Sequence, residues 1–293
     1  MPGPARPDDL FALLSGDPCA GELVVQYQPV VATADAEPLG AEALVRWRRP
    51  DGEVVMPDAF VRTAEASGLG TSLDEAVLRR SAQQVLAWDA TGIRVHRVGV
   101  NLGRSSVLSP DLPRVVERAC ADAGIGPDRL MLEVVEHEEL QLTCAVLDRL
   151  QALVDDGVTL AVDDFGAGYA AAGLLQALPV GVLKADRVLL PCSSRPAART
   201  APRPGAVLAG VVALAAAAGA EVTAEGAETP EHLALLRDLG VPHAQGWLFA
   251  PSLDPDALTD HWRAWAARRA TTRCATAQRA AVRDAAQVPA PSA

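Results

Sequence analysis

Short apolar runs rich in β-branched residues alternate with longer helical patterns over about 240 residues of this 293-residue chain. We predict eight strands from the runs: Leu23–Val31, Ala41–Trp47, Arg97–Leu102, Leu130–Val135, Thr159–Asp163, Gly181–Lys184, Glu221–Ala224 and His243–Gln245. Strands that alternate with helices build a mostly parallel sheet, and about eight such units favour a closed (β/α)8 barrel. The turn-like segment between the first two runs predicts a hairpin, so we expect one antiparallel strand near the start of this α/β barrel.

The helical patterns lie between these strands, and several of them carry end signals. We predict six helices: Ser72–Asp89, Asp111–Ala123, Leu140–Asp156, Ala206–Ala218, Pro230–Leu239 and Pro255–Arg269. Ser72 is the predicted N-cap of the first helix, and Pro230 stands in a first turn after Thr229. Gly219 and Gly240 are predicted to end two others. We expect residues 1–20 to be an N-terminal extension, residues 21–264 to form the domain, and residues 265–293 to be a flexible Ala-rich tail.

Charge and cysteine usage narrow the functional class. The chain carries 26 Lys and Arg residues against 37 Asp and Glu residues, a net charge of −11, which makes it a poor general binder of DNA or RNA duplexes. Its five cysteines are odd in number and form no metal-binding spacing, which predicts a reduced, cytoplasmic protein. The longest apolar run, Gly205–Ala220, is shorter than a membrane span of about 20 residues. We interpret it as a buried helix of a soluble domain.

Polar side chains occur at the predicted strand ends, where a (β/α)8 barrel gathers its functional groups. They are Glu42, Asn101, Glu133, Asp163, Asp164, Lys184, Glu225 and Gln245. Most are about one βα unit apart in sequence, so their side chains can converge on one mouth. Five converging carboxylates repel one another unless cations or protons compensate. Carboxylate and amide oxygens without Cys or His suit Mg²⁺ or Mn²⁺, and the consecutive Asp163 and Asp164 could each reach a different ion.

Lysine and asparagine each occur once in the chain. Of the 26 basic residues 25 are arginine, and the single lysine is Lys184. The single asparagine is Asn101. Both residues fall among the acids at the predicted strand ends. The chain thus uses arginine at every other basic position and has its one lysine where the acids are expected to converge.

Eight short segments carry a family resemblance. They are Tyr27–Val30, Glu42–Trp47, Val100–Leu102, Leu132–Glu136, Asp163–Tyr169, Leu183–Asp186, Ala224–Glu228 and Gln245–Trp247, which read YQPV, EALVRW, VNL, LEVVE, DDFGAGY, LKAD, AEGAE and QGW. Together and in this order they closely resemble the EAL domain, the bacterial cyclic-di-GMP (c-di-GMP) phosphodiesterase, over about residues 20–262. The resemblance implies a TIM-like barrel of the EAL type that hydrolyses one phosphodiester of c-di-GMP to give linear pGpG.

The same resemblance implies a role for each site residue. One metal ion would be held by Glu42, Asn101, Glu133 and Asp163. A second ion would be held by Asp163, Asp164 and Glu225. A water between the ions would attack phosphorus in line, with Glu225 as the candidate base and Lys184 stabilising the developing charge. The catalytic residues implied in this way are Glu225, Lys184 and Glu42.

The resemblance also implies groups that contact the substrate or support the site. The substrate contacts would be Gln28, Leu44, Arg46, Asp186 and Gln245. Glu136 and Glu228 match positions that support the loop Asp163–Tyr169. Trp247, two residues after Gln245, could line the mouth.

Three functional hypotheses are compatible with these motifs. The leading one is a Mg²⁺- or Mn²⁺-dependent c-di-GMP phosphodiesterase. Its rival is a catalytically silent EAL domain that binds c-di-GMP or a protein partner as a receptor, and the third is a phosphodiesterase that acts mainly on pGpG or another dinucleotide. Val135, His137, Gly181 and Ala185 depart from the residues usual in the family, but none of them replaces a metal ligand. Family members often pair through their barrels, so the resemblance also suggests a homodimer.

Overall fold

The computed structural model describes residues 5–135, 140, 142–167, 171–191 and 205–269. Within these ranges nine strands form one sheet: β1 Glu22–Ala32, β2 Pro38–Arg48, β3 Val54–Val55, β4 Arg97–Leu102, β5 Leu130–Val135, β6 Thr159–Phe165, β7 Val182–Ala185, β8 Glu221–Ala224 and β9 His243–Gln245. The helices are α1 Pro7–Leu14, α2 Val61–Ala66, α3 Gly70–Ala90, α4 Arg104–Leu108, α5 Leu112–Ala123, α6 Cys144–Asp155, α7 Ala171–Ala177, α8 Ala206–Ala218, α9 Pro230–Asp238 and α10, residues 255–269. The predicted tail beyond residue 269 lies outside the described residues.

Eight of the strands close into a barrel. Their order is β1, β2, β4, β5, β6, β7, β8 and β9, after which β9 pairs with β1. β1 is antiparallel to both of its neighbours, β2 and β9, while the other barrel strands run parallel to one another. The two-residue β3 pairs with the C-terminal end of β2 outside the closed ring. The structure therefore confirms the predicted (β/α)8 barrel with one antiparallel strand near its start.

The hydrophobic pattern explains why these segments adopt their structures. β5 is buried along nearly its whole length, as expected of a parallel strand that is covered on both faces. In α5, Val116, Ala119, Cys120 and Ala123 recur at helical spacing and are all buried. Gly124 then ends the helix in the left-handed conformation, with a φ of 67°. One hydrophobic cluster joins the barrel wall to the surrounding helices.

The prediction that Ser72 caps a helix is wrong. α3 begins at Gly70 with Leu69 as its N-cap, so Ser72 lies inside the first turn. Gly68, with a φ of 77°, lets the chain turn sharply after α2, and the Leu69 carbonyl already accepts a hydrogen bond from the Leu73 N–H. The turn chemistry of the preceding glycine thus sets this helix start.

Two other helix starts depend on threonine side chains. The helix predicted from Leu140 begins only at Cys144, because the Thr143 hydroxyl accepts a hydrogen bond from the backbone N–H of Val146. At α9 the prediction is confirmed: Pro230 occupies the first turn, and the Thr229 hydroxyl caps the helix.

The apolar run Gly205–Ala220 forms α8, and its interpretation as a buried helix is wrong for most of its length. Leu208, Val211 and Ala215 are buried, whereas Val207 is 56% exposed and Leu214 is 40% exposed. Because both sides of this helix consist of Ala, Gly, Val and Leu, composition gives no signal that one side faces outward. Among the described residues, no helix combines the length and the apolar character needed to cross a membrane.

Several short helices have no counterpart in the sequence prediction. α1 lies within the predicted N-terminal extension and buries Leu10 and Leu13. α2, α4 and α7 have 6, 5 and 7 residues. Helices of this length contain fewer than two turns, so they show no periodicity that could be recognised in the sequence.

Candidate active site

The polar residues predicted at the strand ends meet at one mouth of the barrel. The strand register sets Asn101 beside Glu133 across β4 and β5, and Gln28 beside Glu42 across β1 and β2. Side-chain contacts then connect residues from β1, β2, β4, β5, β6, β7 and β9 and from the turn after β8. This is the C-terminal end of the parallel strands, where enzymes with this architecture carry their active sites.

Lys184 lies at the centre of the mouth. Its Nζ is 2.5 Å from Glu133 Oε2, 2.8 Å from Glu225 Oε1, 3.0 Å from Asp163 Oδ1 and 3.4 Å from Glu42 Oε2. The side chain is only 1% exposed. One ammonium therefore faces four carboxylates that come from different parts of the barrel wall.

Two amides fix the Glu42 carboxylate. Asn101 Nδ2 donates a hydrogen bond of 2.8 Å to Glu42 Oε1, and Gln245 Nε2 donates one of 2.6 Å to Glu42 Oε2. Gln245 Nε2 also donates to Gln28 Oε1 at 2.9 Å, while Gln28 Nε2 donates to the Ala250 carbonyl at 3.1 Å. Both oxygens of Glu42 thus have a neutral donor in addition to the more distant ammonium.

Glu133 depends on a glycine in the neighbouring strand. Its side chain is fully buried, and its Oε1 lies in the space that a Cβ at position 99 would occupy. Gly99 on β4 therefore leaves room for the carboxylate. Oε1 is buried and has no hydrogen-bond partner among the described residues.

A bulge in β6 presents two consecutive aspartates to the mouth. Successive residues of a regular strand point to opposite faces, but the register of β6 with β7 shifts between Val162 and Phe165. Asp164 adopts a left-handed conformation with a φ of 56°, and its backbone N–H donates a hydrogen bond of 2.9 Å to Asp163 Oδ1. As a result both aspartates line the same cavity.

The crowded charges shift the pKa values of the central groups. Burial raises the pKa of Glu225 to about 8; Lys184 opposes this rise, and the charges of Asp163 and Glu42 add to it. Burial also holds the pKa of Glu133 well above its ordinary value. Burial disfavours the ammonium of Lys184, but the surrounding carboxylates outweigh this effect and raise its pKa. Lys184 therefore stays charged near neutral pH, while Glu133 and Glu225 hold protons more readily than an ordinary glutamate does.

Two groups of acids at the mouth have the spacing of cation sites. Glu42, Glu133 and Asp163 each offer an oxygen within 4.8 Å of the others, and so do Asp163, Asp164 and Glu225. Asp163 belongs to both groups. All of these donors are hard oxygens, the ligands that Mg²⁺ and Mn²⁺ prefer.

Two cavities meet at the acids. One, of about 310 Å³, extends past Gln28, Asp186, Glu228 and Trp247. The other, of about 620 Å³, extends towards α2 and α3. Both are lined by Leu44, Asp163 and Asp164. A third cavity of about 220 Å³ lies at the opposite end of the barrel and contains none of the predicted site residues.

The remaining predicted residues lie around this centre. Arg46 is buried on β2 and donates to Gln26 Oε1 and Ser252 Oγ, both at 3.2 Å. Asp186 lines the smaller cavity and accepts a hydrogen bond of 2.8 Å from the Val188 N–H.

Of the two predicted loop-supporting residues, one lies within the described part of the chain. Glu228 is exposed and lines the rim of the smaller cavity. Glu136 lies outside the described residues, as does His137.

Sequence reasoning did not single out two acids that hold the turn after Asn101. Asp74 on α3 accepts hydrogen bonds from the Gly103 N–H at 2.8 Å and the Ser106 hydroxyl at 2.6 Å. Glu65 on α2 accepts one of 2.8 Å from the Ser105 hydroxyl. These carboxylates come from helices distant in sequence, so no local motif marks them.

Comparisons with known proteins agree with this geometry. Residues 14–252 match the family model of the EAL domain. The cyclic di-GMP phosphodiesterase NbdA of Pseudomonas aeruginosa is 37% identical over 247 residues, which are 83% of this chain and 30% of NbdA. Protein Rv1357c of Mycobacterium tuberculosis is 34% identical over 238 residues, which are 80% of this chain and 77% of that protein.

A solved structure shares the fold over most of its length. The phosphodiesterase PaMucR, in a complex with c-di-GMP, superposes with a TM-score of 0.76 at 30% identity, covering 86% of this chain and 98% of that one. The chain spans 30% and 28% of the first two curated relatives that it matches, less than a third of their length.

Proposed function

The chain belongs to the EAL domain family, and we propose that it is a metal-dependent phosphodiesterase that hydrolyses c-di-GMP to linear pGpG. The observation that carries this proposal is the convergence of five acids and one amide at the barrel mouth. They are Glu42, Asn101, Glu133, Asp163, Asp164 and Glu225. The similarity to NbdA, whose name gives this activity, supports it.

We assign Mg²⁺ or Mn²⁺ as the cofactor, with two ions in each site. One ion would be held by Glu42, Asn101, Glu133 and Asp163, and the other by Asp163, Asp164 and Glu225. The residues fit this role because the buried Glu133 Oε1 lacks a hydrogen-bond partner within the described residues, a costly state that a cation would relieve. When bound, the ions would lower the pKa of a water molecule and offset the phosphate charge.

Glu225 is the proposed proton acceptor. Its carboxylate lies 2.8 Å from Lys184 Nζ and offers an oxygen within 4.8 Å of those of Asp163 and Asp164, so it can accept a proton from a water held at this mouth. As water attacks, a new phosphorus–oxygen bond forms and the bond from phosphorus to the 3′ oxygen breaks. The 3′ oxygen leaves with the electron pair of the broken bond and takes up a proton from solvent, so the products are a 3′-hydroxyl group and a 5′-phosphate, which together give pGpG.

Lys184 and Glu42 have complementary roles in this proposal. The Lys184 ammonium can stabilise the negative charge that develops on the phosphoryl oxygens, since it is charged and excluded from bulk water. Glu42 is held in one orientation by two amide hydrogen bonds, so it needs little reorganisation when it acts as a ligand.

The two cavities beside the acids fit a dinucleotide with two halves. We assign the substrate contacts to Gln28, Leu44, Asp186 and Gln245, which line the smaller cavity, and to Arg46, which lines neither cavity and donates hydrogen bonds to Gln26 and Ser252. Trp247 is 76% exposed at the rim of the smaller cavity and can stack on a base. Although the chain is acidic, cations in the mouth would reverse the local field for an anionic substrate.

The test is a product assay with c-di-GMP and Mn²⁺. We expect pGpG from the wild-type protein and a loss of at least about a hundredfold in rate for Glu42→Ala. Glu117→Ala is the matched control, because Glu117 is an exposed glutamate on α5. A wild-type rate no higher than that of Glu42→Ala would refute the proposal. Binding of c-di-GMP without turnover would favour the receptor hypothesis. A higher kcat/KM for pGpG than for c-di-GMP would favour a phosphodiesterase that acts mainly on pGpG.

We also propose a cytoplasmic location and a homodimer. The location is supported by Cys19, Cys120 and Cys144, which are free thiols in the part of the chain that the structure describes. The homodimer rests on the family resemblance. Light scattering that gives a monomer at micromolar concentration would contradict it.

A further inference from the structure

The Lys184 ammonium occupies the place where the two groups of candidate ligands meet. It contacts Glu42 and Glu133 of the first group, Glu225 of the second, and Asp163, which belongs to both. Within the described ranges, Lys184 is the only basic residue that forms an ion pair with any of these four acids. The lysine therefore supplies the positive charge that this carboxylate cluster requires.

A cation at this position affects how the ligands are held. With all four acids ionised, the cluster would carry a net charge of −3 with the ammonium and −4 without it. Removing one partner from a buried ion pair leaves the other charge uncompensated, which is strongly destabilising. Lys184 thus draws together side chains from four strands or strand ends that would otherwise repel one another.

The same contacts make the ammonium compete with divalent ions for the carboxylates. An ion held by either group would be bound by carboxylates that already have an oxygen within 3.4 Å of Nζ: all three acids of the first group, and Asp163 and Glu225 of the second. We propose that Lys184 is a built-in counter-ion that keeps the ligand set assembled without divalent ions and that is displaced from some of these carboxylates when the ions bind. This inference rests on the metal site of the proposed function, but it concerns binding and not turnover.

The single lysine gives a direct probe of this exchange in the unaltered protein. Lysine labelled with ¹⁵N at Nζ would produce one protein ammonium signal by NMR, provided that any purification tag lacks lysine. A buried, ion-paired ammonium exchanges its protons slowly enough to be observed. We expect this signal in the chelated protein, and a shift or loss of it as diamagnetic Mg²⁺ is added. An unchanged signal at Mg²⁺ saturation, with binding verified by calorimetry, would overturn the proposal.

A variant tests the energetic side of the same proposal. Lys184→Met removes the charge while keeping most of the side-chain volume. We expect its Mn²⁺ affinity to rise by about tenfold or more, since no ammonium has to be displaced, and its Tm in chelator to fall by about 5 °C or more. Free Mn²⁺ measured by electron paramagnetic resonance gives the affinity without substrate.

The matched control is Arg114→Met, which removes one positive charge from the exposed surface of α5. It should leave both measurements near their wild-type values. If Lys184→Met and Arg114→Met raise Mn²⁺ affinity equally, the effect comes from net charge and the counter-ion role is refuted. If Lys184→Met does not fold, the NMR titration still decides the question. None of these measurements uses c-di-GMP, so the phosphodiesterase proposal is tested separately.

Discussion

Gly99→Ala adds one methyl group on β4, and we expect it to disable the site by displacing the Glu133 side chain of the neighbouring strand β5. Gly99 lies on β4 beside β5, and a Cβ at this position would overlap Glu133 Oε1. It would also lie 2.9 Å from Glu133 Cδ and 3.0 Å from Met131 Cε. Non-bonded atoms keep about 3.5 Å apart, so the Glu133 carboxylate oxygen must move by about 1.5 Å.

The surroundings decide whether such a movement is tolerated. The end of an exposed glutamate would swing away at little cost, but Glu133 is fully buried and is held 2.5 Å from Lys184 Nζ. Overpacking of this kind costs about 1–3 kcal/mol. The alanine recovers only about 0.5–1 kcal/mol by restricting the unfolded chain. The net effect should be a lower free energy of unfolding, with a fall in Tm of a few degrees.

The effect on function should be larger than the effect on stability. A displacement of about 1 Å in a catalytic constellation can cost on the order of a hundredfold in rate. We therefore expect Gly99→Ala to lower kcat with c-di-GMP by about that factor and to weaken Mn²⁺ binding, while circular dichroism shows a folded barrel. The assay is pGpG formation at saturating Mn²⁺, with Mn²⁺ affinity measured in parallel.

Gly210→Ala is the matched control for this experiment. Gly210 lies on α8, and no atom lies within 4 Å of the position that its Cβ would take. An alanine there should leave turnover unchanged and raise stability by about 0.5–1 kcal/mol, because alanine favours helix. Wild-type turnover and Mn²⁺ affinity in Gly99→Ala would refute the prediction, because they would show that the placement of Glu133 does not matter for the site.

Three further outcomes are expected. Lys184→Arg should fold but lose most turnover, because a planar guanidinium does not replace a compact ammonium; near wild-type kcat would remove Lys184 from the mechanism. With chelator present, the Tm should fall as the pH rises from about 4.5 to about 8. The pKa of Glu225 is raised in the folded protein, so the protonated group favours the folded state at low pH, and this contribution is lost as Glu225 ionises. Glu225→Gln should flatten this dependence, and an equal slope in both proteins would contradict the assignment. Trp247→Ala should raise KM for c-di-GMP by about tenfold with kcat little changed, and Trp247→Phe should retain most of the affinity; an unchanged KM for the alanine variant would exclude stacking.

The sequence predicts the barrel well because its signals are local and repeated. The strands observed as β4, β5, β8 and β9 have the predicted bounds, since each is a short segment between clear helix or turn signals. Helix starts are predicted less well. The cap at Thr229 is recognised because a proline follows it, whereas the start of α3 depends on the conformation of Gly68, which composition does not reveal.

The sequence predicts which residues converge at the site, but it does not predict how their side chains contact one another. Alternation along a strand would place Asp163 and Asp164 on opposite faces, and only the bulge in β6 brings both to one cavity. The need for glycine at position 99 is likewise invisible in the sequence. It arises from Glu133 on the neighbouring strand, 34 positions further along the chain.

The contacts of Lys184 give a physical reason why the only lysine stands here in a chain that otherwise uses arginine. An ammonium carries three N–H groups on one atom, and three carboxylate oxygens lie within 3.0 Å of Nζ, one each from Glu133, Glu225 and Asp163. The fourth acid, Glu42, is farther away at 3.4 Å, and both of its oxygens accept hydrogen bonds from amides. A guanidinium spreads five donors over a plane suited to one carboxylate at a time. Three carboxylates that converge on a single point from different strands therefore favour lysine, and the same convergence suits a small divalent ion.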